Sequence, residues 1–373
     1  MKVERERSLN YDLLRILAML MIVCFHYCIH GNGEQIFSTS FSIQQVISYT
    51  FGSWGLVGVT CFFMISAWFM QNRETISISK WLNLYVKVVI VFLMCLLIAR
   101  SLGENISART LLEAILSPLN SSYWYVTAYM VLMLFVPWLN LIIRCCKDKN
   151  LLTITVVSCF ICFILTPIFN FVGGKTGTST VFMAISLYLV TACIKKKLIL
   201  NKVNTTKLLF SFLLVVSIES GLSLFASMTG MVKISSHIYD LVDIYSPIPV
   251  ILGIMTFIWF SEQSIQIGKI KYIGGGGIRK IAKHTFSIYL LHENPHFRYL
   301  IWDKVFRIDS MYYNPAWKYL LHMFLVVVLI YVTGIIVDII VSAICDHFCK
   351  LKSITNICRI ADNYLNLKEK NNV

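Results

Sequence analysis

Residues 10–27 read NYDLLRILAMLMIVCFHY, an apolar stretch long enough to cross a lipid bilayer as a helix. The stretch contains Arg15 near its start and His26 near its end, and ionisable side chains in hydrocarbon are costly and usually functional. Eleven residues separate the two, so at about 100° per residue they return to nearly one helical face. A rise of about 1.5 Å per residue places them roughly 16 Å apart along the axis. This spacing predicts an elongated site that could hold a long thin ligand.

The composition of the whole chain indicates an integral membrane protein. Of its 373 residues, 57% are hydrophobic and only 14% are charged, whereas a soluble domain carries about 25% charged residues. These values exclude the water-soluble classes. The net charge of +14 is also found in nucleic-acid-binding proteins, but Lys and Arg accumulate in the cytoplasmic loops of membrane proteins. We therefore predict that these basic residues lie beside a lipid bilayer, and that the protein binds no nucleic acid.

Ten apolar segments predict an all-α polytopic protein with about ten transmembrane helices. With the N-terminus inside, the inner segments hold about three times as many Lys and Arg residues as the outer segments, which predicts that both termini are cytoplasmic. Residues 1–348 form the predicted transmembrane domain, and residues 349–373 form a predicted basic cytoplasmic tail. The ten segments cover residues 10–29, 46–70, 82–100, 122–143, 151–171, 179–194, 208–228, 245–262, 284–301 and 319–346.

The cysteines and the glycine run have structural interpretations. The twelve cysteines lie mostly inside apolar runs and are typical of small buried hydrophobic residues. Cys159 and Cys162 form a CxxC in mid-span, but no second pair or histidine cluster at zinc spacing accompanies them, so we predict no metal site. Residues 274–277 are four glycines in a predicted cytoplasmic loop, interpreted as a flexible hinge, with a phosphate-binding loop as the alternative.

The histidines at the predicted outer boundary are candidates for proton transfer. Histidine titrates near neutral pH, so His26 could remove a proton from a hydroxyl group, whereas a lone interfacial histidine would only form a structural hydrogen bond. His292 and Glu293 precede Pro295, which breaks the helix and frees backbone groups that need a polar pocket. We predict His26 as a general base that is oriented by a carboxylate, for which Glu293 is the candidate.

Arg15 and an aromatic cluster each have two interpretations. The guanidinium fork of Arg15 suits a phosphate or carboxylate, but Arg15 could also reach the membrane surface or pair with Asp12. The sequence Tyr123-Trp124-Tyr125 opens the fourth span at the outer boundary. These rings form either an aromatic belt at the membrane interface or a surface on which a sugar stacks.

Four stretches together carry a family resemblance. Residues 12–26 place ten residues between an arginine and a histidine, and residues 55–69 read GLVGVTCFFMISAWF. Residues 123–125 read YWY, and residues 285–292 read TFSIYLLH. In this order the stretches resemble the acyltransferase-3 family of membrane O-acyltransferases, and they reach from the first span to the ninth. The chain looks like the stand-alone form of this family, without a fused esterase-like domain.

The resemblance implies an enzyme that moves an acyl group, most often acetyl, from cytosolic acyl-CoA to a hydroxyl of a cell-envelope glycan or lipid-linked sugar. It implies acyl-CoA as a co-substrate, no permanently bound cofactor and a bacterial plasma membrane as the location. The expected residues are His26, Glu293 and His292 for catalysis, Arg15 and Lys80 for the acyl donor, and Tyr123, Trp124 and Tyr125 for the acceptor.

The sequence departs from the family pattern at two places. Ala67 stands where the family usually has glycine, and residues 80–83 read KWLN where the family commonly has Arg-x-x-Arg. Lys80 therefore carries a positive charge at the first arginine position of this pattern, whereas Asn83 is uncharged at the second. Lysine does not reproduce the phosphate contacts of arginine, so Arg15 would carry more of the donor contact or would only pair with Asp12.

Two other function classes are compatible with the same residues. Intramembrane His, Glu, Lys and Arg also suit a proton-coupled exporter of an anionic metabolite or lipid-linked sugar. Such carriers often contain an internal repeat of their spans, and the sequence shows none. The third hypothesis is a non-catalytic partner in envelope assembly. Of the three, we favour the acyltransferase.

Overall fold

The computed structural model describes residues 9–31, 41–171, 180–200, 202–230, 246–263 and 275–365, and within these ranges it contains helices and no β-strand. Two π-helical segments are also present, Ile161–Leu165 and Leu300–Val305. The α-helices are α1 (Leu9–Gly31), α2 (Ile43–Met70), α3 (Ile78–Ser101), α4 (Ala108–Leu116), α5 (Trp124–Cys145), α6 (Asp148–Phe160), α7 (Thr166–Phe171), α8 (Thr180–Lys195), α9 (Thr205–Thr229), α10 (Pro247–Glu262), α11 (Gly275–His292), α12 (Ile308–Tyr312), α13 (Ala316–Cys349) and α14 (Lys352–Leu365).

The lengths and composition of these helices confirm an all-α polytopic membrane protein. Among the described residues, seven helical segments are long and apolar enough to cross a membrane, namely α1, α2, α3, α5, α6 with its continuation, α9 and α13. Helices α8 and α10 are apolar but shorter. Each of the ten predicted segments overlaps a helix. The exposed side chains of α9 and α13 include many large apolar residues, as expected for surfaces that face lipid.

The ninth segment differs most from its prediction. It was predicted at residues 284–301, but α11 begins at Gly275 and ends at His292. The helix ends early because Pro295 has no backbone N–H and disfavours a helical conformation in the residue before it. The residues before 284 are polar, so hydropathy did not reveal that they are helical. The last three glycines of the run are therefore helical, and residue 274 lies outside the described residues.

Close helix packing joins the elements that carry the site. Helix α1 packs along α2, and α11 packs against both α1 and α13. A Cβ atom on Gly58 of α2 would lie 2.4 Å from the carbonyl oxygen of Ala18 in α1, and one on Gly334 of α13 would lie 2.8 Å from Cα of Ile288 in α11. Small residues allow backbones to approach this closely in membrane bundles. The positions of α1 and α11 are therefore tightly constrained.

The predicted tail is helical as far as Leu365. Helix α14 packs against α3, and the carboxylate of Asp362 accepts a hydrogen bond of 2.7 Å from the backbone N–H of Ile78. This N–H is one of the donors that a helix N-terminus leaves without an intrahelical partner. The contact fixes α14 beside the first turn of α3, which contains Lys80.

Candidate active site

His26 and His292 meet between α1 and α11, although 266 positions separate them in the chain. Nδ1 of His26 lies 2.9 Å from Nε2 of His292, and Nδ1 of His292 lies 2.5 Å from the carbonyl oxygen of Ile288. A carbonyl oxygen only accepts, so Nδ1 of His292 carries the proton, and Nε2 of a neutral His292 accepts. Nδ1 of His26 therefore donates to His292. This hydrogen-bond network leaves Nε2 of His26 with the lone pair that a general base needs.

The carboxylate of Glu293 lies on the other side of His26. Its Oε1 accepts a hydrogen bond of 2.6 Å from Nε2 of His30 and lies 3.6 Å from Nε2 of His26. We expected Glu293 to orient His26, but His292 makes the orienting hydrogen bond. Glu293 instead faces the nitrogen that would take up a proton, where its negative charge stabilises an imidazolium.

His30 is not among the residues predicted from the sequence. It follows His26 by four residues on α1, and residues four apart lie on the same helical face. That spacing was the signal that could have identified it. His292, in contrast, is fully buried with both ring nitrogens engaged, so it positions His26 and has no free atom for a substrate.

The three aromatic residues at the start of α5 have different surroundings. Tyr123 is fully buried, and its hydroxyl donates to the carbonyl oxygen of Leu290 at 2.8 Å. The same hydroxyl accepts a hydrogen bond of 2.9 Å from Nδ2 of Asn294. Tyr123 therefore holds the end of α11 against α5. Trp124 and Tyr125 instead line a cavity.

This outer cavity has a volume of about 290 Å³ and lies in the half of the bundle that the charge distribution predicts to face outwards. Its wall is mostly apolar and aromatic, as is common for sites that bind small molecules. The polar groups are few and converge around His26. The lining of this cavity includes His26, His30, Phe62, Trp124, Tyr125, Phe286, Tyr289, Glu293 and Arg298.

A second, inner cavity of about 320 Å³ is strongly basic. Arg15 of α1, Lys80 and Lys87 of α3 and Lys283 of α11 all line it. Asn83, at the position where the family pattern has its second arginine, lines it as well. Three helices thus place four cationic side chains around one space, which suits an anionic ligand.

Three aromatic side chains separate the two cavities. Phe62, Tyr125 and Phe286 each line both of them. The basic cavity and the cavity of His26 are therefore neighbours on opposite sides of one aromatic partition. The separation of roughly 16 Å along α1 between Arg15 and His26 spans this partition.

Two of the inner cations have carboxylate partners. Nζ of Lys87 lies 2.8 Å from Oδ1 of the fully buried Asp338, which also bonds His284 and Ser287. Packing of α3 against α13 brings Lys87 and Asp338 together, a contact that the sequence does not predict. Arg15 lies 3.5 Å from Asp12. It therefore pairs with Asp12, and the same side chain lines the cavity.

A comparison with protein families identifies this architecture. The sequence profile of the acyltransferase-3 family, described as an acyltransferase domain, matches residues 8–337 of the 373 residues. The chain belongs to the acyltransferase-3 family. No curated protein and no solved structure matches it. This family member is therefore a multi-pass membrane acyltransferase, and the matched range contains both cavities.

The geometry of this acyltransferase permits two kinds of chemistry at His26. A neutral imidazole with a free Nε2 can accept a proton from a hydroxyl group. Within the described residues, His26, His30 and Glu293 also form a group whose potential ligand atoms all lie within 4.8 Å of one another. Proton transfer and metal binding would use the same lone pair, so they exclude each other at this atom.

Proposed function

We propose that the protein transfers an acyl group, most simply acetyl, from cytosolic acyl-CoA to a hydroxyl of a cell-envelope or exported glycan at the bacterial plasma membrane. The observation that carries the proposal is the pair of cavities on opposite sides of one aromatic partition. The inner cavity has four cations, and the outer cavity has a base. Such an arrangement suits a donor with an anionic end inside and an acceptor that arrives from outside.

The charges of the inner cavity support an acyl-CoA donor. Coenzyme A carries its phosphates at one end, and clustered cations attract and hold phosphate. Lys80 keeps the first charge of the family pattern, and Asn83 lacks the second. Lys87 follows Asn83 by four residues, on the same helical face, and lines the same cavity. We infer that Lys87, held by Asp338, replaces the missing cation.

The partition supports a narrow path for the donor. The pantetheine arm of coenzyme A is thin, and its length is comparable to the separation between Arg15 and His26. In the proposed path, the arm passes between Phe62, Tyr125 and Phe286 and brings the thioester to the outer cavity. The phosphates stay inside, so free acyl-CoA does not cross the membrane.

His26 is the proposed general base. Its Nε2 takes the proton of the acceptor hydroxyl while the hydroxyl oxygen attacks the thioester carbonyl carbon. Glu293, at 3.6 Å, stabilises the imidazolium that forms. The C–S bond then breaks, the sulfur leaves as coenzyme A, and it takes the proton from His26. The products are an ester on the acceptor and free coenzyme A.

The outer cavity has features that suit a glycan acceptor. Trp124 and Tyr289 offer apolar ring surfaces on which a sugar can stack. Arg298 lines the same cavity and is exposed, so it could bind a carboxylate or phosphate on the acceptor. We therefore propose an acidic glycan or a lipid-linked sugar phosphate as the acceptor class.

The test is acyl transfer from labelled acetyl-CoA in membrane vesicles, together with analysis of surface glycans for O-linked acyl groups. We expect His26→Ala at equal expression to reduce transfer by about 10²-fold or more, since general-base catalysis contributes roughly 10²–10⁴-fold. His347→Ala is the matched control, because His347 is exposed near the end of α13. Full activity of the His26→Ala protein would refute the mechanism.

A further inference from the structure

We infer that His26, His30 and Glu293 form a binding site for one transition-metal ion of the Zn²⁺ class, and that the bound ion blocks acyl transfer. The prediction of no metal site rested on the lack of a second cysteine pair or a histidine cluster beside Cys159 and Cys162, and it did not include His30. The blocking step rests on the proposed function, since the ion would occupy Nε2 of His26. The binding step does not depend on it.

The three potential ligand atoms lie within 4.8 Å of one another, and two of their separations can be compared with those around a small metal ion. Zinc bonds nitrogen and oxygen ligands at about 2.0–2.2 Å, so tetrahedral ligand atoms are roughly 3.3 Å apart. Nε2 of His26 and Oε1 of Glu293 are 3.6 Å apart, close to this value. Nε2 of His30 and Oε1 of Glu293 are 2.6 Å apart and must separate by about 0.7 Å.

The chemistry of the ligands also fits. Two histidines four residues apart on one helix face bind zinc in known helical motifs, and a carboxylate is a common third ligand. Nδ1 of His26 donates to His292, which leaves Nε2 for the metal. Histidine ligands of metals usually donate their other N–H in this way. The outer cavity adjoins all three residues and leaves a fourth position for water.

The chain contains a natural control for this chemistry. His296 donates from Nε2 to Oε2 of Glu113 at 2.9 Å, and both side chains are more than 30% exposed. This pair has one histidine and one carboxylate, but the described residues place no third ligand with it. It therefore tests whether three converging ligands, rather than any histidine–carboxylate pair, bind the ion.

The first experiment measures binding without an acyl donor. Purified, detergent-solubilised protein is freed of metal with a chelator and titrated with Zn²⁺, and the bound metal is counted by mass spectrometry. We expect one ion per chain, at least tenfold weaker binding in His30→Ala and Glu293→Gln, and unchanged binding in His296→Ala. Each variant is checked for its unfolding temperature without metal, and His30→Gln replaces any variant that fails to fold. Absent binding, or binding retained in every His30 and Glu293 variant, overturns the inference.

The second experiment measures the blocking step. Zn²⁺ is titrated into the acyl-transfer assay, and a chelator is added afterwards. We expect inhibition over the concentration range in which the ion binds, and recovery with the chelator. If zinc binds but transfer continues unchanged, the blocking step is wrong. If zinc stimulates transfer, the general-base role of His26 is wrong as well, although the metal site stands.

Discussion

The substitution Gly58→Ala tests whether the packing of α1 on α2 positions the base. An added Cβ would lie 2.4 Å from the carbonyl oxygen of Ala18 and 3.0 Å from Cγ1 of Ile22, whereas ordinary contacts begin at 3.4 Å. The oxygen belongs to the backbone of α1, so a rotamer change cannot remove the clash. Helix α1 must therefore move away from α2 by about 1 Å, the difference between contact and clash distances.

A movement of α1 also changes the position of His26 relative to His292. A displacement of α1 by about 1 Å in any direction would disturb the length and alignment of the 2.9 Å hydrogen bond between Nδ1 of His26 and Nε2 of His292. A misplacement of about 1 Å costs roughly 10²-fold in rate. Overpacking of this kind costs about 1–3 kcal/mol in stability. We therefore expect a folded protein whose acyl transfer falls by about 10²-fold.

The assay compares acyl transfer and unfolding temperature at equal expression. Gly52→Ala is the control, because Gly52 lies on the same helix and has no atom within 4 Å of its added Cβ. We expect this control to retain nearly full activity. Acyl transfer by Gly58→Ala within twofold of the unmodified protein, or an equal loss of activity in both variants, would show that this packing does not position the base.

Three further predictions concern residues around the two cavities. His292→Phe removes the acceptor for Nδ1 of His26, so the proton can move to Nε2, and we expect kcat to fall at least tenfold with little change in the KM for acyl-CoA. Lys283→Met removes one inner cation, and we expect a several-fold higher KM for acyl-CoA with kcat nearly unchanged. Asp338→Asn leaves Lys87 without its buried partner, and we expect a loss of about 3–5 kcal/mol in stability, seen as a lower unfolding temperature.

Each of these predictions has a contradicting outcome. An unchanged kcat in His292→Phe would show that His26 does not need its hydrogen-bonding partner. If Lys283→Met lowers kcat and leaves the KM for acyl-CoA unchanged, Lys283 contributes to the acyl-transfer step and not to donor binding. An unchanged unfolding temperature for Asp338→Asn would show that Lys87 finds water or another acceptor.

The transmembrane class and the face of α1 were predictable because they depend on local periodicity. Apolar length alone indicated the spans, and the angle of about 100° per residue placed Arg15 and His26 on one side. Hydropathy was less informative where a helix extends into polar sequence. For this reason α11 was predicted to begin nine residues late, and the helical state of the glycines was missed.

The depth of a residue in the membrane was easier to predict from the sequence than the contacts and function of its side chain. The sequence indicated one shared role for Tyr123, Trp124 and Tyr125, either an aromatic belt or an acceptor surface, because neighbours at the start of a helix have similar depth. They point in different directions around the helix, so Tyr123 is buried and bonded while the other two line a cavity. Burial of each side chain depends on the neighbouring helices, which a single sequence does not specify.

The sequence by itself determined that this protein spans a membrane, that Arg15 and His26 occupy one stripe, and that basic residues predominate on the predicted inner side. Only the tertiary structure decided that His26 bonds His292 across 266 positions and that Lys87 pairs with Asp338 across 251. The reason is physical. The helical repeat sets the face and depth of a side chain, but which face of another helix lies opposite depends on packing among all the helices at once.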